Sequence, residues 1–146
     1  MKVLWFTPNP CSYQVPGKRK GYNGGGWTSS LEQELKKRPD IKLGVCFIMN
    51  GQSQKTVQED VTYYPVPSHQ KSKKNKILDL IHFRDVERDK ILWAHYIEHF
   101  KKVIEDFQPD VIEIYGSELY MGLAAMASNR PTVLHIQGIL SLSLYI

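Results

Sequence analysis

Short apolar runs alternate with longer amphipathic stretches along this chain. Five of the runs have the apolar composition of buried strands, and turn-forming residues follow each of them. They span residues 3–7, 41–49, 61–66, 111–115 and 132–136. Because Pro65 and Pro67 cannot donate to a β-ladder, we expect the third strand to lie near a sheet edge.

The stretches between these runs predict helices. Residues 28–38 carry hydroxyl and acidic side chains early and basic side chains late, which complements the helix dipole. Residues 86–107 predict a long helix, and residues 119–128 predict a helix of small residues with Ser117 as its cap. A further short helix is expected after Asn75. The long helix carries one apolar stripe: Leu92, Tyr96, Phe100, Val103, Ile104 and Phe107.

Strands that alternate with helices predict an α/β fold, a Rossmann-like open parallel sheet with helices on both faces. The length of 146 residues suits one such domain, over residues 1–146. In open parallel sheets, ligands bind outside the carboxyl ends of the strands. The loops that follow Thr7, Tyr115 and Ile136 are therefore the expected place of function.

Composition excludes several classes of protein. An apolar share of 42% and a charged share of 23% argue against disorder, and no apolar run is as long as a membrane span. Cys11 and Cys46 lack the spacing of a metal or redox motif, which favours a reducing compartment and therefore the cytoplasm. Pro8 interrupts the first apolar run too early for a signal peptide.

The net charge of +4 makes the chain mildly basic. Basic residues cluster at 18–20 and again at 71–76. Such clusters are usually solvated surface, and the alternative is contact with an anionic membrane surface or with diphosphates. No recognition motif accompanies them, so we expect no nucleic-acid partner.

A run of three glycines follows the first strand and precedes the first helix: Gly24, Gly25 and Gly26. Glycines let the backbone approach a phosphate closely, and the free N–H groups at a helix start favour an anion. The run matches neither the G-x-G-x-x-G pattern nor a Walker A loop, and glycine-rich loops are often simple turns. Both interpretations stay open on the local sequence.

Polar residues follow the fourth and fifth predicted strands. Gln137 is placed to hold a ligand hydroxyl, although a loop glutamine often bonds its own backbone. Glu118, beside Ser117, could bind a sugar hydroxyl or merely offset the dipole of the following helix. His135 lies within a strand, where we expect a packed, hydrogen-bonded core residue.

The segment from His95 to His99 fits the H-x-x-E-H pattern of a zinc site, with Glu98 as a base. His95 and His99 also border the apolar stripe of a helix that covers the sheet. No later helix supplies the glutamate that would complete a zinc site. A helix that crosses over the sheet is expected to lie far from the functional strand ends. We therefore expect no metal here.

Three segments in this order form a recognisable pattern. The first is the triple glycine with Trp27 and the helix after it; the second is residues 108–116, QPDVIEIYG; and the third is residues 130–138, RPTVLHIQG. At these spacings, and over essentially the whole chain, they resemble the N-terminal half of glycosyltransferase family 4.

The resemblance implies one half of a GT-B fold, in which two Rossmann-like domains face each other across a cleft. It implies retaining transfer of a sugar from a nucleotide-sugar donor to a glycan or lipid-linked acceptor, without a cofactor. The glycine loop then approaches the donor diphosphate, and this half shapes the acceptor side. The half that holds most of the donor is absent from residues 1–146, so we expect these residues alone to be inactive.

By the same resemblance, Gln137 lies beside the transferred sugar. The family often has histidine at that position, and also at the positions of Glu113 and Tyr115. Glutamine cannot act as an acid or base near neutral pH, so Gln137 is expected to position the sugar or stabilise charge. Four residues are expected on the acceptor side: Trp27, Ser117, Glu118 and Gly138.

We expect such an enzyme to act in bacterial surface polysaccharide or lipopolysaccharide synthesis, in the cytoplasm at the inner face of the plasma membrane. Two alternatives stay open: half of a nucleotide-sugar 2-epimerase with the same architecture, and a non-catalytic nucleotide- or sugar-binding module. The apolar run at 139–146 is rare for a free tail, which indicates a missing partner surface or self-association.

Overall fold

The computed structural model describes residues 1–15, 26–51, 54–69, 86–116 and 120–136. The strands are β1 (Lys2–Phe6), β2 (Lys42–Met49), β3 (Thr56–Gln58), β4 (Val61–Pro67), β5 (Val111–Tyr115) and β6 (Thr132–His135). The helices in these ranges are α1 (Gly26–Lys36), α2 (Val86–Phe107) and a 3-10 helix (Tyr120–Met126). Of the helices that the structure describes, none is long and apolar enough to cross a membrane.

One six-stranded sheet has the strand order β3-β4-β2-β1-β5-β6. Every neighbouring pair is parallel except β3 and β4, which form an antiparallel hairpin. The carboxyl ends of the parallel strands therefore meet at one edge of the sheet, which we name the carboxyl edge. This arrangement confirms the α/β class and the Rossmann-like open parallel sheet.

The two faces of the sheet carry separate cores. On one face, Trp5 and Tyr63 are buried in a cluster that packs against Leu31 and Leu35 of α1. On the other face, α2 and the 3-10 helix cover a cluster that includes Phe6. All six residues of the stripe predicted for the long helix belong to this second cluster or pack against it, so the stripe and the placement of helices on both faces are confirmed.

The segment after β5 forms a 3-10 helix over Tyr120–Met126, so a helix is present where one was predicted over 119–128, and it is shorter than predicted. Its two buried residues, Met121 and Ala124, lie three positions apart. A 3-10 helix has three residues per turn, and this spacing therefore points both side chains into the core. The cap expected at Ser117 and the short helix expected after Asn75 lie outside the described residues.

The hairpin of β3 and β4 is a second difference, because the sequence predicted no strand at 56–58. β3 pairs with β4 only as far as Tyr63. Pro65 and Pro67 were expected to close the strand: Pro67 is its last residue, whereas Pro65 lies within it, where the outer side of β4 has no described strand neighbour. Proline is tolerated at such a position, so the predicted place near a sheet edge is confirmed.

β6 is exposed on both faces, although the sequence predicted a sheet covered throughout. All four of its residues are exposed. Its described partners are β5 along one edge and the Trp27 ring, which packs on His135. The prediction that His135 is a core residue is therefore wrong: no described helix covers the strand that carries it.

Gly44 in β2 faces the ring of Phe107, the last residue of α2. A Cβ at Gly44 would lie 2.9 Å from Phe107 Cε2 and 3.0 Å from Leu4 Cδ1. The ring cannot move away easily, because Lys2 and Tyr64 pack against it. We expect Gly44→Ala to lower the free energy of unfolding in urea by about 1–3 kcal/mol. Adding Phe107→Leu should recover part of this loss, and strictly additive losses would contradict the close contact.

Candidate functional site

α1 begins beside the carboxyl ends of β5 and β6. The ring of Trp27, the second residue of α1, has its centroid 5.2 Å from that of Tyr115 and 5.0 Å from that of His135. Tyr115 is the last residue of β5, and His135 is the last residue of β6. Trp5 of β1 packs edge to face on Tyr115, with ring centroids 5.1 Å apart. We name Gly26, Trp27, Tyr115 and His135 the carboxyl-edge site.

Gly26 gives α1 an open start. Its φ of +50° is a backbone conformation that residues with a side chain rarely adopt. A Cβ added at Gly26 would have no atom of the described residues within 4 Å. No acidic residue stands in the first turn of α1. Because the first N–H groups of a helix carry partial positive charge, this end of α1 can take an anion such as a phosphate.

The loop after β1 fixes the first turn of α1. The side-chain oxygen of Asn9 accepts a hydrogen bond from the Cys11 N–H at 3.1 Å and another from the Thr28 hydroxyl at 3.2 Å. Cys11 has a φ of +51°, which is uncommon for a residue with a side chain. Asn9 therefore joins the end of β1 to the start of the helix that carries Gly26.

A buried carboxylate fixes the second turn of α1. Glu32 has a relative exposure of 0% and accepts hydrogen bonds from the Ser12 N–H at 2.8 Å and from the Tyr63 hydroxyl. Lys36, one turn further along, forms an ion pair with it at 2.9 Å. Burial raises the pKa of Tyr63, and its hydrogen bond to the Glu32 carboxylate raises it further. Glu32 therefore holds α1 against both the loop after β1 and β4.

Trp5 Nε1, which is buried beneath the carboxyl-edge site, makes no hydrogen bond among the described residues, and the Tyr115 hydroxyl is buried near the Glu113 carboxylate. Burial raises the pKa of Tyr115, and the nearby Glu113 carboxylate raises it further, so the hydroxyl keeps its proton. A buried polar group without a partner costs about 1–3 kcal/mol, and such groups commonly bind ordered water or a ligand.

Two of the eight site residues predicted from the sequence belong to the carboxyl-edge site. Gly26 and Trp27 lie where the sequence predicted ligand binding, at the carboxyl ends of the strands. The other six lie outside the described residues: Gly24, Gly25, Ser117, Glu118, Gln137 and Gly138. The basic clusters at 18–20 and 71–76 also lie outside them.

Tyr115 and His135 were not among the binding residues predicted from the sequence. A signal was available, because each is the last residue of a strand that ends at the predicted site. Glu32 offered no such signal. Glu34, two positions further along α1, has the same charge but is exposed, and only the tertiary fold distinguishes the two.

Three histidines cluster near the carboxyl end of β4. The ring centroid of His95 lies 5.2 Å from that of His69 and 4.4 Å from that of His99, and its Nε2 lies 3.5 Å from the Pro67 carbonyl oxygen. The cluster therefore lies beside the end of β4, which is not one of the strand ends where the sequence placed the function. Burial lowers the pKa of His95, and the two neighbouring histidines lower it further. Among the described residues, no group of three or more His, Cys, Asp or Glu side chains is arranged to hold a metal ion.

The thiol of Cys11 is expected to be unreactive in the folded protein. Burial, as the largest cause, raises its pKa to about 11. At pH 8 the thiolate is then about one molecule in a thousand, and Cys46 is buried as well. Alkylation by iodoacetamide at pH 8 should proceed only as fast as the protein unfolds, whereas both thiols should react at once in urea. Labelling of the folded chain at the rate of a free thiol would contradict this prediction.

No model of a known protein family matches the chain, and a search of curated proteins finds no match.

Proposed function

We propose that this chain is the acceptor-side domain of a retaining glycosyltransferase of family 4, acting in bacterial surface polysaccharide or lipopolysaccharide synthesis. The observation that supports the proposal most is the position of Gly26 and Trp27 beside the carboxyl ends of β5 and β6. An open helix start suits a diphosphate. An exposed tryptophan ring beside it suits the apolar face of a sugar.

In this proposal, the diphosphate of a nucleotide-sugar donor lies against the glycine loop at residues 24–26. The N–H groups at the start of α1 stabilise the negative charge that develops on the leaving diphosphate. Gln137 holds the donor sugar through its amide and moves no proton. The acceptor lies over Trp27, and three residues complete its site: Ser117, Glu118 and Gly138.

Catalysis then depends on positioning and on charge stabilisation. The domain that holds most of the donor lies outside these residues, so residues 1–146 alone are expected to transfer no sugar. The basic clusters are proposed to contact anionic lipid beside a lipid-linked acceptor.

The proposal is tested by ¹H–¹⁵N NMR of residues 1–146 with UDP-glucose and GDP-mannose, each at about 10 mM because half a site binds weakly. Shifts of the amide signals of Gly26, Trp27 and Thr28 that saturate with concentration are expected. An absence of shifts there with both nucleotides would contradict the assignment of the diphosphate to the start of α1. A transferase rate from these residues alone would contradict the two-domain division of labour.

Two tryptophans of equal exposure provide the matched variants. Trp27 is 46% exposed in the carboxyl-edge site, and Trp93 is 45% exposed on α2. Trp27→Ala is expected to weaken binding of a glycoside acceptor such as octyl β-D-glucopyranoside by about tenfold, because the stacking surface is lost. Trp93→Ala should leave binding unchanged. Equal effects of the two substitutions would contradict the acceptor role of Trp27.

A further inference from the structure

We propose that the polar cleft between α1 and the β3–β4 hairpin is a second binding site, for a neutral sugar. The cleft has a volume of about 440 Å³, within the range of small-molecule sites. Its lining residues all carry hydrogen-bonding side chains, and they include Ser12, Gln33, Lys36, Gln58 and Glu59. It lies at the C-terminal half of α1, and its ligand class follows from its own chemistry, independently of the function proposed above.

The walls of the cleft are held in place by bonds that do not depend on a ligand. The side-chain oxygen of Gln58 accepts from the Gln14 N–H at 2.9 Å, and its amide nitrogen donates to the Gln14 carbonyl oxygen at 2.7 Å. This pair joins the hairpin to the loop after β1. Gln33 Nε2 donates to Ser12 Oγ at 3.1 Å, which joins α1 to the same loop. A cleft fixed in this way loses little conformational entropy when a ligand binds.

The charges around the cleft indicate the class of ligand. Lys36 bonds to Glu32 at 2.9 Å and to Glu59 at 3.1 Å, so the ammonium that lines the cleft is already paired with two carboxylates. Phosphate and diphosphate are therefore disfavoured. The amides and hydroxyls of the cleft offer donors and acceptors together, and an amide side chain can use several at once. Neutral hydroxyl groups, which also donate and accept, are the chemistry that fits this lining.

The hairpin turn supplies an independent observation. Glu59 and Asp60 connect β3 to β4 and have φ of +48° and +66°, a conformation in which Asn-Gly is strongly preferred. A glutamate held at positive φ is strained, and strain of this kind concentrates at functional sites. In this backbone conformation the Glu59 carboxylate reaches Lys36 at the mouth of the cleft.

The position of the cleft separates it from the carboxyl-edge site. With a rise of 1.5 Å per residue, Gln33 and Lys36 lie about 10 Å and about 15 Å along α1 from Gly26. The residues of α1 that line the cleft therefore lie two to three turns away from the start of the helix.

The test is ¹H–¹⁵N NMR titration of the chain with maltotriose, cellotriose and mannotriose, each to about 20 mM, with inorganic phosphate as the anionic probe. We expect at least one trisaccharide to cause saturable shifts of the amide signals of Gln33, Lys36 and Glu59. We expect phosphate to cause no shift of these signals. No saturable shift at these residues with any of the three sugars would overturn the proposal. Shifts confined to Gly26 and Trp27 would also overturn it while leaving the proposed function intact.

Two variants separate binding from folding. Gln33→Met keeps the length of the side chain and removes its amide, and it should weaken binding of the active trisaccharide by about tenfold. Glu34→Met, on the exposed side of α1, is the matched control and should leave binding unchanged.

Glu59→Asn relieves the strained turn, because asparagine tolerates positive φ. It should raise the urea midpoint of unfolding and still weaken sugar binding by about tenfold. Unchanged binding by both Gln33→Met and Glu59→Asn would overturn the proposal.

Discussion

Replacing Glu32 with alanine is expected to lower the free energy of unfolding by about 3–5 kcal/mol, as measured by urea denaturation. The carboxylate is fully buried, and its loss leaves the Ser12 N–H and the Tyr63 hydroxyl without their acceptor and leaves the Lys36 ammonium with Glu59 as its remaining carboxylate. The Lys36 side chain is only 13% exposed, so water cannot readily replace the missing partner. The destabilisation comes from these stranded groups and not from a lost surface ion pair.

Glu34→Ala is the matched control for this prediction. Glu34 lies on the same helix and pairs with Lys37, but both side chains are exposed, so its loss should cost at most about 0.5 kcal/mol. Glu32→Gln keeps the volume and one acceptor, and its effect should fall between the two. Equal, small effects of Glu32→Ala and Glu34→Ala would show that the buried network is not formed.

The same substitution should disturb the carboxyl-edge site. Glu32, Asn9 and Gln33 join α1 to the loop after β1. With Glu32 removed, the buried bond to the Ser12 N–H is lost, and of these three links those of Asn9 and Gln33 remain. The NMR signals of Gly26 and Trp27 should broaden or shift in Glu32→Gln even where the chain stays folded, whereas Glu34→Ala should leave them in place.

Local pattern was sufficient to predict the elements whose residues are regularly spaced. The apolar stripe of α2 has a helical period over its whole length, and the structure begins and ends this helix at residues 86 and 107 as predicted. The strand over 111–115 is likewise a compact apolar run, and its bounds are confirmed. In both cases the burial of one face follows directly from the order of the residues.

The hairpin of β3 and β4 could not be predicted in that way. β3 has only three residues, and its turn consists of Glu59 and Asp60 where a hairpin signal would be Asn-Gly. The turn forms because tertiary contacts outweigh the local preference, above all the bonds from Gln58 to Gln14 and from Glu59 to Lys36. These contacts join residues that are far apart in sequence, and no local window contains them.

The residues of the candidate site differ in the same way: local sequence predicts some of them, and others depend on distant contacts. Gly26 and Trp27 were predicted because a glycine run between a strand and a helix has local meaning. The burial of Glu32 depends on Tyr63, which is 31 positions away. His135 is exposed because no described helix covers β6. Sequence distance, more than residue type, decided which site residues could be found.

Replacing Phe100 with alanine is expected to lower the free energy of unfolding by about 3–5 kcal/mol. Phe100 lies on the buried face of α2 and is fully buried, with its ring centroid 4.9 Å from that of Phe6 in an edge-to-face contact and 6.1 Å from that of Tyr96. Alanine leaves a cavity that the sheet cannot fill, because β1 is held by hydrogen-bonded strands on both sides. Urea denaturation measures the loss.

Lys101→Ala, at the next position and on the exposed side of α2, is the control and should change the free energy of unfolding by no more than about 0.5 kcal/mol. Phe100→Leu should cost less than Phe100→Ala, because most of the apolar volume remains. Domains of this size are stable by only about 5–15 kcal/mol, so the alanine variant should populate unfolded chains at concentrations of urea that leave Lys101→Ala folded. If the Lys101 and Phe100 variants unfold together, α2 is not anchored to β1 through this ring, and the core that positions the carboxyl edge is built differently.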